Sequence, residues 1–397
     1  MIRRAEMGVI PARLADKGGF ALAMAVFALV VLAAIVAGGY FSASQEFQIG
    51  RGMKAITASF YAGESGINDV LEKWDPLVYN ALAPGDSVIM GPIALEGGGN
   101  YNATVTRVGT AADSVKRYFY VEAVGRPPAP TRGERRQAVI VRTRVPRLCC
   151  DAAVTVVDTV YMGSGGGSKK IDGNDNGVLP AGWAAACTDF PPDSSAGVRT
   201  PKPPGDLVDD PGKVGGTPQI VTDASINRTN VLNLTDMTYA ELLEYADHTF
   251  VGDKTFTGTV PSIKDGECDR SDPDNWGAPT NSSHPCFNYF PIIHVTGNLI
   301  LAGSGVAQGI LLIGDNDDAD LRLTGPFEFY GLAFIMDDLE LSGTVDFYGG
   351  AYVAEHVVIT GSPPRFFYDK CVVERAIRES ALARPRMLPD RAWVELF

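Results

Sequence analysis

Histidine is scarce: there are four in a chain of 397 residues. That leaves little material for imidazole-based metal centres or acid–base relays. There is no G-x-S-x-G turn, no serine or cysteine supported by a histidine, and no C-x-x-C pair, which removes the usual layouts of a serine or cysteine hydrolase and of a zinc ribbon. Positive charge is short as well, with 34 Lys+Arg against 47 Asp+Glu and a net charge of −13. Nucleic acid is therefore not the default partner of the whole chain. The most telling lack is local, because residues 20–41 hold no charged side chain at all. What is present is 45% hydrophobic residues, 44 Gly and 26 Pro. This composition excludes outright disorder, allows a sizeable core in one or two domains, and favours strands, turns and long loops over a helical bundle.

Residues 1–19 carry Arg3, Arg4, Arg13 and Lys17 against Glu6 and Asp16, and the charge-free run of 22 residues follows. At about 1.5 Å per residue it reaches ~33 Å, enough for a bilayer core of ~30 Å. The basic flank places the N-terminus in the cytoplasm and the remainder outside. A secretory signal peptide has a shorter apolar region ending in a small-residue cleavage site. Here the run continues without proline. Phe47, Met53, Ile56, Phe60, Ile67, Val70, Leu71 and Trp74 recur at helical spacing up to Asp75-Pro76, so the spacing predicts one helix over 20–75, all apolar first and amphipathic later, roughly 80 Å long.

The junction Lys17-Gly18-Gly19-Phe20-Ala21-Leu22-Ala23-Met24 resembles the class III signal of type IV prepilins. Farther on, Phe60-Tyr61-Ala62-Gly63-Glu64-Ser65-Gly66-Ile67-Asn68 is similar to the A-x-E-x-G stretch of PilX-like minor pilins. The resemblance covers residues 17–75. It implies cleavage after Gly19 by a prepilin peptidase, N-methylation of Phe20, and burial of Leu22, Met24, Phe27, Leu29, Leu32 and Ile35 first in the inner membrane and then in a filament core among other pilins or pseudopilins. Major pilins carry a glutamate at the fifth mature position, which here is Met24, and no acid occurs from Phe20 until Glu46. Low-copy subunits that begin or cap a fibre share that lack, so the resemblance implies a minor subunit.

Within 76–147, apolar runs at 87–95, 101–108, 117–124 and 137–145 alternate with polar residues between Gly- and Pro-rich turns. They read as a small antiparallel sheet laid on the amphipathic half of the helix. Arg142 and Arg144 fall at alternate positions with Arg147 close behind, as on a solvated sheet face. A docking surface for an acidic partner is the second reading, and DNA is unlikely because no aromatic residues interleave with the charges. Residues 148–290 are loop-rich, with short elements at 154–162 and 236–246, and need covalent staples. Cys149, Cys150, Cys187, Cys268, Cys286 and Cys371 are even in number and lie outside the membrane run, as disulfides in an oxidising compartment do. Cys268 with Cys286 is the preferred pair, and the neighbours Cys149 and Cys150 should each pair elsewhere. A zinc set of Cys268, His284, Cys286 and His294 is the weaker alternative.

Residues 291–368 contain a repeat. Leu321-Arg322-Leu323-Thr324-Gly325, Leu339-Glu340-Leu341-Ser342-Gly343 and Val357-Val358-Ile359-Thr360-Gly361 end in glycines 18 apart, in phase with Phe327-Glu328-Phe329-Tyr330-Gly331 and Val345-Asp346-Phe347-Tyr348-Gly349. Short strands in a fixed period predict a β-solenoid, with a meandering antiparallel sheet as the alternative. The stretch resembles the parallel β-helices of bactofilin-like proteins. Residues 369–397 are expected to cap its open end with a helix over 369–383.

Candidate chemistry is sparse. Asp172, Asn174 and Asn176 match the first half of a calcium loop, but Trp183 stands where a bidentate acid belongs, so an Asx turn is the simpler expectation. The glycine-rich run at 163–170 lacks phosphate-loop spacing. Asp320, Glu328, Asp337, Glu340 and Asp346 populate the solenoid region and are the material a carbohydrate-cleaving β-helix would use. The expected fold class is α+β: long helix, small antiparallel sheet, loop-rich middle, parallel solenoid and cap. The expected function is a non-enzymatic minor pilin or pseudopilin of a type IV pilus or type II secretion-like filament. It has no catalytic residue or cofactor beyond the calcium candidate, and a surface glycan is a further candidate partner. The alternative is a membrane-anchored extracellular β-helix protein that binds or cleaves carbohydrate.

Overall fold

The computed structural model describes residues 18–110, 116–131, 133–144, 152–163, 170–175, 179–180, 182–203, 205, 209–233, 237–315, 319–360, 365–388 and 393–396. A single helix, α1 (Gly18–Glu72), runs for 55 residues. It stops short of Pro76, which cannot continue a helix and restricts the residue before it. Four strands follow in antiparallel order: β1 (Ser87–Ala94), β2 (Asn100–Thr110), β3 (Lys116–Arg126) and β4 (Arg135–Arg144). The period-2 pattern sends Ala103, Val105, Phe119, Val121, Ala123, Val139 and Val141 to one buried face. There they meet Ile67 and Val70 of α1 and Trp74 just beyond its end.

Small residues set how closely helix and sheet approach. A Cβ on Gly125 would fall 2.0 Å from Ser59 O and 2.3 Å from Gly63 N, and one on Gly66 would fall 2.6 Å from the Tyr101 ring. The Ser59–Ala62–Gly63–Gly66 face of α1 therefore lies backbone to backbone against β3. Two hydrogen bonds fix its register: Gln137 Nε2 donates to Phe60 O at 2.7 Å, and Tyr101 Oη donates to Asp69 at 2.5 Å.

Beyond β4 the chain builds a second body from short strands: β5 (Ala152–Val156), β6 (Val160–Met162), β7 (Ile171–Asp172), β8 (Ala196–Thr200), β9 (Val214–Gly215), β10 (Ile220–Thr222), β11 (His248–Phe250) and β12 (Lys254–Phe256). A hairpin of β13 (Ile263–Lys264) and β14 (Glu267–Cys268) comes next. Then follow β15 (Ile292–Val295), β16 (Leu299–Leu301), β17 (Gly305–Ile313), β18 (Leu321–Thr324), β19 (Phe327–Ile335), β20 (Leu339–Ser342), β21 (Asp346–Val353), β22 (Val357–Ile359) and β23 (Arg365–Phe367). Apart from the hairpin they form two parallel sheets, a larger one in the order β10-β8-β5-β21-β19-β17-β15-β11 and a smaller one in the order β12-β16-β18-β20-β22-β6. In-register pairing stacks like on like: Leu299, Leu321, Leu339, Val357 and Val160 form one buried column, and Leu301, Leu323, Leu341, Ile359 and Met162 another. Gly331 and Gly349 hold positive φ where the strands bend, and a Cβ at either would sit within 2 Å of the carbonyl one coil below.

The path of the chain through this stack differs from the sequence reading in two respects. First, residues 148–290 are not simply a stapled loop region. Their strands supply both ends of the stack: β5 and β6 pair with β21 and β22, β8 and β10 extend outward, and β11 and β12 form the opposite end. These strands are two to five residues long, and β5 is buried at every position, so neither length nor alternation betrays them. Second, the C-terminal segment is not a cap over an open end. The helix Lys370–Arg378 lies along β17, β19 and β21, with Arg375 clamped between Trp183, Phe287 and Phe290 and bound to Glu379 at 2.8 Å. The chain then returns to the first sheet, where β24 (Arg386–Met387) and β25 (Trp393–Leu396) pair antiparallel with β4. The stack is thus an insertion between two neighbouring strands of the helix-bearing sheet.

Disulfides join Cys187 to Cys371 and Cys268 to Cys286, with Cα–Cα distances of 5.5 and 4.8 Å. Cys149 and Cys150 lie outside the described residues. Gly125→Ala is expected to destabilise the helix-bearing sheet by about 2–3 kcal/mol, because backbone rather than a movable side chain meets the new methyl. Gly52→Ala, with open space around it, should change stability by under about 1 kcal/mol and in the favourable direction. Denaturant midpoints of the two variants check the contrast.

Candidate functional site

The longest unpartnered surface belongs to α1. Phe20–Glu72 is long and apolar enough to cross a membrane, and its most apolar window is not buried by the rest of the chain. Gly19 lies in the first turn of α1. Leu22, Met24, Phe27, Leu29, Leu32 and Ile35 are each between 53% and 68% exposed, and Phe20 is 75% exposed. The sequence stripe from Phe47 to Trp74 divides in the structure: Ile67, Val70 and Trp74 turn into the sheet, whereas Phe47, Met53 and Ile56 remain exposed together with Tyr61. The sheet covers only the last third of the helix, so the charge-free run over 20–41, roughly 33 Å at the helical rise, stands exposed, followed by an amphipathic stretch in which Phe47, Met53 and Ile56 share the surface with Glu46, Arg51 and Lys54. Such a rod can be satisfied by lipid or by other apolar helices.

A second concentration of functional groups occupies the turns that link the two parallel sheets. Side chains there staple one coil to the next: Asp253 Oδ1 accepts from Asn298 N–H at 2.8 Å, Asn298 Oδ1 from Asp320 N–H at 2.8 Å, Asp320 Oδ1 from Asp338 N–H at 3.3 Å, and Asp338 Oδ1 from His356 N–H at 2.9 Å. Beside this ladder, burial and a hydrogen bond to Glu355, reinforced by the charges of Glu355, Asp338 and Asp320, push the Asp337 carboxyl up to about 7. At His356, burial opposes the imidazolium, but the hydrogen bond to Asp338 and the charges of Asp338, Asp158 and Glu355 prevail and raise it. Asp338, Glu355 and His356, and likewise Asp320, Asp337 and Asp338, bring ligand atoms within 4.8 Å of one another. Among the described residues, these two triads are the groups that could hold a cation.

The other carboxylates singled out in the sequence are dispersed. Glu340 pairs with Arg322 at 2.5 Å, Asp346 with Arg365 at 2.9 Å, and Glu328 accepts from Tyr330 Oη at 2.9 Å. Asp172 and Asn174 do come together, as an Asx turn in which Asp172 Oδ1 accepts from Asn174 N–H at 3.0 Å. Asn176 lies outside the described residues. The zinc set is corrected, since Cys268 and Cys286 are joined to each other and offer no thiolate. Arg144 is not on a free sheet face either: it pairs with Glu241 of the inserted body at 2.9 Å. Arg147 lies outside the described residues.

No family model matches this chain, and no curated protein does. Among solved structures, the competence-associated pilin ComZ from Thermus thermophilus aligns over 86% of this chain and 97% of its own, with 10% identity and a TM-score of 0.21.

The Asp337 carboxyl ties stability to pH. Below about pH 4 it is protonated whether the chain is folded or not. As pH climbs toward 7 the unfolded chain releases the proton and the folded chain keeps it, so stability falls across that window. The raised His356 acts in the same sense, its contribution being lost as pH passes its folded value. Asp337→Asn is therefore expected to raise the thermal midpoint at pH 8 by about 2 °C and to leave it nearly unchanged at pH 4. Melting curves at the two pH values check this.

Proposed function

We propose that this chain is a minor pilin or pseudopilin, a subunit of a type IV pilus or type II secretion-like filament that starts, caps or attaches the fibre. The observation that carries the reading is the division of α1: its last third is clasped by an antiparallel sheet, and its first part stands clear, with an exposed charge-free apolar run over 20–41. Prepilin peptidase cleaves after Gly19 and Phe20 becomes the methylated N-terminus. The rod resides in the inner membrane, with the sheet and the inserted stack outside. It then leaves lipid to lie among the helices of neighbouring subunits. Burial of apolar surface at about 25 cal/mol per Å2, or about 1.5–3 kcal/mol for each fully covered Leu, Ile or Phe, supplies the assembly energy.

In this reading the protein is not an enzyme and needs no cofactor. The inserted parallel stack, a β-solenoid in architecture, is presented at the fibre surface, where a glycan is a candidate ligand and DNA is not favoured. The acid column in its turns supports a second reading, a membrane-anchored β-helix protein acting on carbohydrate. Intact-mass measurement separates the two. The filament reading expects a mature N-terminus at Phe20 carrying one extra methyl group and co-sedimentation with fibres, whereas an intact Met1 and a species confined to the inner membrane would sink it. Leu29→Lys, which places a charge at the helix centre at a cost of about 3 kcal/mol, is expected to reduce fibre incorporation more than tenfold while the sheet retains its fold, as read by quantitative immunoblotting of sheared filaments.

A further inference from the structure

The two edges of the smaller parallel sheet are treated differently. At one edge, β6 is closed by a loop: Met162 N–H donates to Asp209 Oδ1 at 2.8 Å, and Val160 O accepts from Asp209 N–H at 3.2 Å. At the other edge stands β12, which pairs only with β16 among the described residues. Lys254 N–H donates to Asn298 O, and Phe256 O accepts from Ala302 N–H, so Lys254 and Phe256 face the sheet. By the alternation of a parallel strand, the N–H and C=O of the intervening Thr255 face away. Nothing among the described residues bonds to them, and Thr255 is exposed.

Thr255 and Phe256 of this strand line an open groove of about 680 Å3. The groove is lined as well by Val260, 72% exposed, and by Asp272 and Asp274, and no basic residue lines it. Its three features are an unpaired donor–acceptor pair in extended geometry, an apolar contact and two carboxylates. An extended peptide supplies the complement of all three at once, through its own main chain, a β-branched side chain and a lysine or arginine. A saccharide matches the polar groups but offers no strand-spaced amide for Thr255.

We propose that this groove binds an extended, basic peptide segment of a partner protein by strand addition to β12. The inference does not depend on the filament reading and can fail or hold independently of it. In the complex, the peptide main chain bonds the Thr255 N–H and C=O, alternate side chains enter the groove toward Phe256 and Val260, and a cationic residue meets Asp272 and Asp274. Natural proteins blunt or cover such edges when they are to remain single, as β6 is covered here.

The test uses the full chain in detergent micelles and a fluorescent, acetylated hexapeptide of alternating valine and lysine, with binding read by anisotropy. Thr255→Pro removes the outward donor at a position where an edge strand tolerates proline, and Asp272→Asn with Asp274→Asn removes the charge. Each change is expected to weaken binding about tenfold or more, and the charge change should abolish the salt dependence. N-methylation of alternate peptide amides should weaken binding equally, which keeps the test intact should the proline variant misfold. Absence of saturable binding at about 1 mM, affinity indifferent to both Thr255→Pro and peptide N-methylation, or occupation by chitohexaose in place of the peptide would each overturn the proposal.

Discussion

Strand β4 carries the architecture. On one side it pairs with β3 and closes the sheet that clasps α1, and on the other it accepts β24 and β25 from the end of the chain. The chain therefore leaves the sheet from β4 and returns to it at the neighbouring β24. Holding the ends of so long an insertion together costs little more than holding a short one, since each doubling of a loop adds only about 0.6 kcal/mol. Arg144–Glu241 and the stacking of Arg386 on Tyr245 then seat the stack against the sheet. These contacts join the stack to the sheet beside the two adjacent strands β4 and β24.

The stack is closed in a second way. Its first and last coils along the chain meet side by side, Val154 opposite Ala351 and Val160 opposite Val357. A repeat array usually gains stability by adding neighbours from one end. Here the interior seam joins segments nearly 200 residues apart, so the columns of Leu, Ile and Val are completed only when both have arrived. The Cys187–Cys371 bond, with a sequence separation of 184, likewise joins an early segment of the chain to a late one. In the chain-entropy view a loop of that length lowers the freedom of the unfolded chain by about 5 kcal/mol. The price of a non-local fold is slow formation, and the covalent bridge offsets part of the entropy it must overcome.

Much of this was legible in the residues and part was not. The break before Pro76, the alternation in β1 to β4 and the 18-residue spacing of Gly325 and Gly343 each express a local rule, and such rules survive folding. Three features depended on distant partners. The stripe from Phe47 to Trp74 is continuous in sequence, but only where Ser59, Ala62, Gly63 and Gly66 admit the sheet does it become a core. Strands such as β7 and β9 are two residues long, and they exist only because β23 provides an edge to extend. β24 is equally short, its pairing depends on β4, and nothing in Arg386-Met387 announces it. Of the disulfides, Cys268–Cys286 closes a short loop visible in sequence, whereas Cys187–Cys371 is one of many pairings until the helix Lys370–Arg378 is placed.

The acid column shows what in-register stacking imposes. A repeat that puts Leu321 over Leu339 over Val357 also puts Asp320 beside Asp338 and Asp337 beside Glu355, one coil apart at ~4.8 Å. Two carboxylates at that distance repel by about 3 kcal/mol in surroundings of intermediate polarity, which is comparable to what a buried apolar side chain contributes to the same coil. Three devices reduce the penalty. The Asp320 and Asp338 oxygens accept backbone N–H groups of the next coil, Arg228 pairs with Glu355, and Asp337 retains its proton to about neutral pH. Hydrophobic columns and charged columns are thus two consequences of one geometric rule. The turns, rather than the sheets, are where the stack adjusts its charge to its surroundings.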